Sequence, residues 1–395
     1  MKLKVKVAVT LIAISGLVIS SSPAFAGQIN GSGATFAQPL IDVCKVEFER
    51  DTGHTINYTA GGSGKGRNDF TKNLVDFAAS DSVYTSDFPA HLEYAPVYAA
   101  PIAIFYNIPG LKGTVNLSPK TLALIFGGSI TNWNDPQIAL ENEKRTVDTP
   151  VYQTKKETVT VGGKKVTKTV PVLDKSGKPK VIRVESKTVN IDLPNLPITV
   201  YYRTDSSGTS EQFGKFLKGA NSVLNPSLWP KTASGTFTNS TPKNISTVFN
   251  FQGQSGSALV AAGVKGNRGG IGYGEVSWAT DNKLPVANIL NAAGEYVAPT
   301  AAGTSAFLGG GTISANGGVV TDYNKSISGA YPIGTASYGL VYPAAAKKDP
   351  AKQKIVAQWH TYLLEQCPKK FPEKGYVQIT GPLYDKAKSQ IAKIK

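Results

Sequence analysis

Three times in this chain a short β-rich run breaks at a Gly/Ser/Thr turn and continues with helical spacing. The first runs Ile29-Asn30-Gly31-Ser32-Gly33-Ala34-Thr35, followed by Leu40, Ile41, Cys44 and Phe48. Thr35 and Gln38 there read as a capping box. The second is a strand over 54–59, then Ala60-Gly61-Gly62-Ser63-Gly64 and a short helix to Leu74. The third is a strand over 198–202, then Arg203-Thr204-Asp205-Ser206-Ser207-Gly208-Thr209 and a helix with Phe213, Phe216 and Leu217 on one face. Between the second and third, 75–79 predicts a short strand ending at Ser80-Asp81. Alternating strand and helix restrict the chain to α/β layers on a largely parallel sheet. Each turn would bring backbone N–H groups to a helix start, where the dipole favours an anion. Taken singly, each also reads as an ordinary strand-to-helix turn.

The first 26 residues set the compartment. Lys2, Lys4 and Lys6 precede an uncharged apolar run over 7–19, a break at Ser21 to Pro23, and the small-x-small site Ala24-Phe25-Ala26. That is the pattern of a secretory signal peptide cleaved near Ala26. The alternative, a retained membrane anchor, calls for about 20 apolar residues. No Cys stands at the cleavage point to carry a lipid. The mature chain is expected outside the cytoplasm, periplasmic or secreted to the cell surface. That space is oxidising, so Cys44 and Cys367 either pair or stay two buried thiols.

The length, 395 residues, suggests two to three domains, and 41% hydrophobic residues suffice for real cores. With 40 Gly and 24 Pro, many turns are expected, which argues against a long coiled coil or helical bundle. The net charge of +15 at first suggests a nucleic-acid binder. Its location argues otherwise. Residues 144–190 hold 12 Lys/Arg and 4 Asp/Glu, a net +8. Without the three leader lysines the chain carries +12, so everything outside that segment carries +4. The segment alternates Val, Thr and Lys, with a Gly162-Gly163 turn and a second turn at Asp174-Lys175-Ser176-Gly177, as hairpins do. It reads either as an edge guarded by lysines or as a contact for an acidic surface such as an anionic polymer or lipid headgroups. It lacks the interleaved aromatics of a single-strand nucleic-acid platform.

Catalytic constellations are missing. Two Cys and three His are too few for most zinc sites. His54, His91 and His360 show no paired spacing, and no G-x-S-x-G elbow occurs. Gly31-Ser-Gly33 fails the dinucleotide fingerprint at its third Gly, and Lys65 in the Gly61–Gly66 loop is not followed by Ser or Thr. More pointed is Arg203 with Ser207, Gly208 and Thr209. Arg supplies a planar fork suited to a tetrahedral oxyanion, and Asp205 could hold that fork in place. A surface Arg capping a neighbouring element is the plainer alternative.

Seven stretches, in order, resemble the PstS family, the phosphate-binding proteins of ABC phosphate importers. They are Gly31-Ser-Gly-Ala-Thr-Phe36, Gly62-Ser-Gly64, Val75-Asp-Phe-Ala-Ala-Ser-Asp81, Tyr106-Asn-Ile-Pro-Gly-Leu111, Ile125-Phe-Gly-Gly-Ser-Ile-Thr-Asn-Trp-Asn-Asp-Pro136, Arg203-Thr-Asp-Ser-Ser-Gly-Thr209 and Gly270-Ile-Gly-Tyr273. They cover most of the mature chain except 144–190. The resemblance implies an α/β, two-lobed, type II periplasmic-binding-protein fold with ligand in the interlobe cleft. The β-hairpin insertion then falls in lobe II. Crossings would lie near 100–105 and 331–340, giving lobe I as 27–100 plus 335–395 and lobe II as 101–334. Both cysteines fall in lobe I, where a disulfide would staple that lobe.

Carried over by resemblance, the phosphate contacts are the Thr35 hydroxyl, the Phe36 N–H, the Ser63 hydroxyl and the Asp81 carboxylate from lobe I. Lobe II would add Arg203, Ser207, the Gly208 N–H and Thr209. Ala37 replaces a Pro common after the Phe. Asp81 would discriminate: it accepts a P–OH proton from phosphate, whereas sulfate faces it with oxygens only. The implied partners are inorganic phosphate and a membrane ABC permease, for a monomer with no cofactor, no metal, no nucleic acid and no enzymatic activity. Two other readings stay open. One is a receptor for another oxyanion or a phosphate ester; the other is a secreted adhesion or phosphatase-like protein using the basic hairpin.

Overall fold

Two strand–turn–helix units begin the fold. Strand β1 (Gln28–Gly33) runs into helix α1 (Gln38–Thr52), and β2 (Thr55–Ala60) into α2 (Ser63–Thr71). Helix α1 buries Leu40, Ile41, Cys44 and Phe48, the stripe expected from their spacing, and stops where Gly53 turns left-handed and returns its N–H to Glu49. The structure, a computed structural model, describes residues 26–84, 89, 91–142, 145–161, 164–175, 177–189, 191–342 and 348–394. The expected leader, apart from Ala26, and the Gly162-Gly163 turn lie outside the described residues. Among the described residues no helix is long and apolar enough to cross a membrane.

The capping box expected at Thr35 and Gln38 does not form. Ala37 is the N-cap of α1, with no side-chain cap bond. The Thr35 hydroxyl is taken up elsewhere, accepting the Ser257 N–H at 3.2 Å. The helix instead starts on Gln38 and takes Pro39 as its second residue, whose fixed φ suits the first turn.

Strand β3 (Phe77–Ser80) pairs in parallel with β1, which pairs in parallel with β2. Strand β4 (Glu93–Tyr106) is the spine: every residue after Glu93 is buried. Its first part, to Pro101, pairs antiparallel with the strand Gly334–Val341; its last part, from Ile102, pairs antiparallel with Gly270–Glu275. One eight-stranded sheet results. From one edge its strands are Phe251–Gln254, Thr199–Arg203, Gly270–Glu275, β4, Gly334–Val341, β3, β1 and β2. The expected largely parallel sheet is therefore mixed. Both outer groups are parallel, and the strands that carry the chain between them are antiparallel.

The parallel strands of both groups end toward one region, and their loops feed the helices α2, Gly208–Asn221 and Ser257–Gly266. Open α/β sheets place ligands at such carboxyl ends. Behind the Gly208–Asn221 helix, Phe213 lies 4.8 Å from both the Phe126 and Tyr273 rings, centroid to centroid. Burying one such ring contributes about 1.5–3 kcal/mol, and the cluster fixes the helix start against the sheet. Cys44 and Cys367 form a disulfide with a Cα–Cα distance of 5.8 Å, tying α1 to the short helix Cys367–Lys370.

The basic segment is a ribbon arm. Arg145–Tyr152 pairs antiparallel with Val181–Val189, and Thr154–Val161 with Lys164–Pro171. Around the Asp174 turn, Leu173 and Pro179 form a bridge.

Candidate functional site

Arg203 ends the strand Thr199–Arg203 with its side chain buried, 1% exposed. Its Nε donates to Asp205 Oδ1 at 2.6 Å and its Nη2 to Asp205 Oδ2; its Nη1 donates to Ser257 Oγ at 2.9 Å. Asp205 also accepts the Gly256 N–H at 3.0 Å. Burial works against the Asp205 carboxylate, but the hydrogen bonds and charge of Arg203 outweigh it and hold the group below its ordinary pKa. Two residues of separation thus fold into a fork gripping a buried cation. The Arg203 N–H reaches the Tyr273 hydroxyl at 3.3 Å, and that hydroxyl lies 2.6 Å from Ser210 Oγ. The strand end and the following helix are thereby fixed together.

Asp81, one residue past β3, is equally buried. Ser337 donates to its Oδ1 at 3.0 Å; Ser63 and Thr209 approach its Oδ2 at 3.4 and 3.5 Å. Ser63 Oγ in turn accepts the Asp81 N–H at 3.1 Å. The pairing of Gly334–Val341 with β4 shifts register between Ser337 and Tyr338, an irregularity of the kind that re-aims a side chain. Burial pushes the Asp81 carboxyl up to about 7, against the pull of Ser337, the Arg203 charge, Ser63 and Thr209.

Of the groups expected to act together, Thr35, Ser63, Asp81, Arg203, Gly208 and Thr209 lie close to one another or share a partner. Thr35 Oγ1 lies 3.0 Å from Ser257 Oγ, which links it to Arg203. The Gly64 N–H donates to the Ser206 carbonyl at 2.9 Å, joining the start of α2 to the loop before Gly208–Asn221. Gly208 is pressed against the opposite wall: a Cβ there would stand 2.5 Å from Ser63 Oγ and 3.0 Å from Asp81 Cβ. Gly62, at φ +91°, is similarly close to Asp205 and Ser206.

Two of the expected contact residues are otherwise engaged. Ser207 caps its helix, accepting the Ser210 N–H at 3.1 Å. Phe36 turns its ring into the core, edge-on to Tyr376, and its carbonyl accepts the Tyr376 hydroxyl at 2.5 Å. Its expected contribution is its amide. Lys65, in the loop resembling a phosphate loop, pairs with Asp69.

Two site residues escaped the sequence reading. Ser257 follows Gly256 at the start of the helix Ser257–Gly266. That stretch, Gln254-Ser-Gly-Ser257, has the same strand–Gly–helix form as the three turns singled out. Ser337 sits on a strand with no motif around it; only its place beside β3 brings it to Asp81.

The arrangement is rich in donors: hydroxyls, helix-start amides and one guanidinium. Among the described residues, its one carboxyl not committed to the cation is Asp81. Donors alone accept any tetrahedral oxyanion. A buried acceptor among them selects an anion that brings its own hydrogen. Among the described residues no group of three or more His, Cys, Asp or Glu could hold a metal ion.

Comparison with known proteins agrees in kind. A family model described as a PBP superfamily domain matches residues 19–366. Phosphate-binding protein PstS 2 of Mycobacterium tuberculosis is 31% identical over 338 residues, 80% of this chain and 75% of that protein. Phosphate-binding protein PstS of Pasteurella multocida is 26% identical over 370 residues, 92% of this chain and 90% of that one. Among solved structures, the phosphate-binding protein from Stenotrophomonas maltophilia superposes with a TM-score of 0.59 at 19% identity, covering 92% of this chain and 93% of its own. That likeness confirms the two-lobed fold.

Proposed function

This chain belongs to the PstS family of phosphate-binding proteins, within the PBP superfamily, and from that membership we propose that it captures inorganic phosphate outside the cytoplasm for an ABC-type importer. Lobe I is 27–100 plus 335–395, lobe II is 101–334, and the anion lies between them. Thr35 and Ser63 hydroxyls and the Phe36 amide serve it from lobe I. Arg203, Ser207, Thr209 and the Gly208 amide serve it from lobe II. The protein acts as a monomeric receptor and not as a catalyst, and closure of the lobes is the state its permease reads.

One observation carries the reading: Asp81, a buried carboxyl, stands among hydroxyl donors and within reach of the Arg203 charge. Phosphate at neutral pH keeps at least one P–OH, which an ionised Asp81 accepts. Sulfate has none, so its oxygens would oppose the carboxylate. A buried mismatch of this kind supports discrimination on the order of 10⁴–10⁵. Titration calorimetry above pH 7 tests it. Tight 1:1 phosphate binding with little heat from sulfate is expected; equal binding of the two anions rejects it.

A further inference from the structure

Among the described residues, the arm over 145–189 consists of two-stranded sheets that pair only with themselves. A two-stranded ribbon has no second layer, so both faces meet solvent and its own stability is marginal. Successive residues face opposite sides except at the register shift, where Tyr152 pairs with Val181 and Val151 with Arg183, skipping Ile182. Yet Val181, Ile182 and Val184 are each about half exposed, as are Leu173 and Tyr152. Lysines at 156, 175, 178 and 180 are exposed among them. Lys155 and Arg183 are occupied by Glu157 and Glu185, each at 2.5 Å. Most of the mature chain's positive charge sits here, +7 of +12.

An edge guarded only for solubility needs lysines and hydroxyl residues. It does not need three branched aliphatics within four positions and a tyrosine on the paired strand. A soluble polyanion would be held by the charge alone. Cations interleaved with apolar side chains match the interface of an anionic bilayer, where headgroups take the charge and the acyl boundary takes the side chains. We propose that this arm docks the protein on an anionic phospholipid surface. The inference does not depend on what the cleft holds.

The test uses the whole chain from residue 27 on, sedimented with vesicles of phosphatidylcholine alone or with about a third phosphatidylglycerol. Retention on the anionic vesicles should exceed that on neutral ones by about tenfold or more and fall at high salt. Replacing Lys156, Lys175, Lys178 and Lys180 together by Gln should abolish it. Val181→Ser, Ile182→Ser and Val184→Ser together should weaken it with the charge intact. Thermal unfolding of each variant, matched to the parent, verifies the fold. The proposal is overturned if the parent ignores anionic vesicles, or if the lysine variant binds them as the parent does. Undiminished binding by the serine variant also overturns it, because the contact would then be with charge alone, as for a soluble polyanion such as polyphosphate.

Discussion

Asp205 grips the guanidinium of Arg203 along its Nε and Nη2 edge, leaving Nη1 to Ser257. The pair turns a cation that would be costly to bury into a fixed donor at the cleft. Asp205→Ala would leave that cation uncompensated, a loss of about 3–5 kcal/mol for a pair buried this deeply. Urea unfolding of phosphate-free protein should show the lowered midpoint. Asp205→Asn, which keeps a hydrogen-bond acceptor, should lose less. Unchanged midpoints in both variants would contradict the role given to this pair.

Asp81→Asn should fold and still bind phosphate, because the surrounding donors stay. The amide can turn an N–H toward a sulfate oxygen, so the phosphate-to-sulfate affinity ratio should drop at least about tenfold. Protonation should mimic the substitution. With the Asp81 carboxyl at about 7, discrimination in the parent should weaken as pH falls below that value, while the Asn variant stays flat. Competition binding across pH reads both, and parallel profiles would refute the assignment.

Gly208→Ala probes closure. The added methyl would meet Ser63 Oγ, Asp81 Cβ and the Ser82 backbone nitrogen on the opposite wall, while the helix Gly208–Asn221 itself tolerates alanine. Overpacking of about 1–3 kcal/mol, felt when the lobes shut, predicts a phosphate Kd raised by tenfold or more with little change in unfolding temperature without ligand. An unaltered Kd would mean that the lobes do not meet here during binding.

Much of this was legible in the residues. The turns at Thr35, Ser63 and Ser207 stand out as three Gly/Ser/Thr breaks between an apolar run and a helical stripe, although each alone reads equally as an ordinary strand-to-helix turn. Asp81 is marked by the resemblance of Val75–Asp81 to the PstS family, since its place at a strand end alone fits a capping Asp equally well. What could not be read is what tertiary pairing decides. Thr35 leaves its expected cap because Ser257, more than two hundred residues away, supplies a better partner. Ser337 acquires its role from the pairing of its strand beside β3. The parallel sheet became mixed because the two crossing strands run against their neighbours, which local spacing does not encode.

Ligand-free stability should fall as pH rises from about 6.5 to about 8. Burial raises Asp81 from 3.8 to about 7 and Glu275 from 4.5 to about 8. In this window the native state therefore binds more protons than the unfolded chain, and stability declines with pH. Buried His360, lowered from 6.5 to about 4, acts oppositely, but only below about 6.5, where acid costs stability. Thermal unfolding across this range should show the decline, and Asp81→Asn combined with Glu275→Gln should flatten it. A rise in melting temperature over the same interval would contradict the burial of these carboxyls.

The most direct trial is a crystal structure of the protein grown with millimolar orthophosphate. One anion should bridge the two halves, with one oxygen within hydrogen-bond distance of an Asp81 carboxyl oxygen and the others on Arg203 and the Phe36 and Gly208 amides. An anion bound to one half alone, or with every oxygen remote from Asp81, would contradict the account.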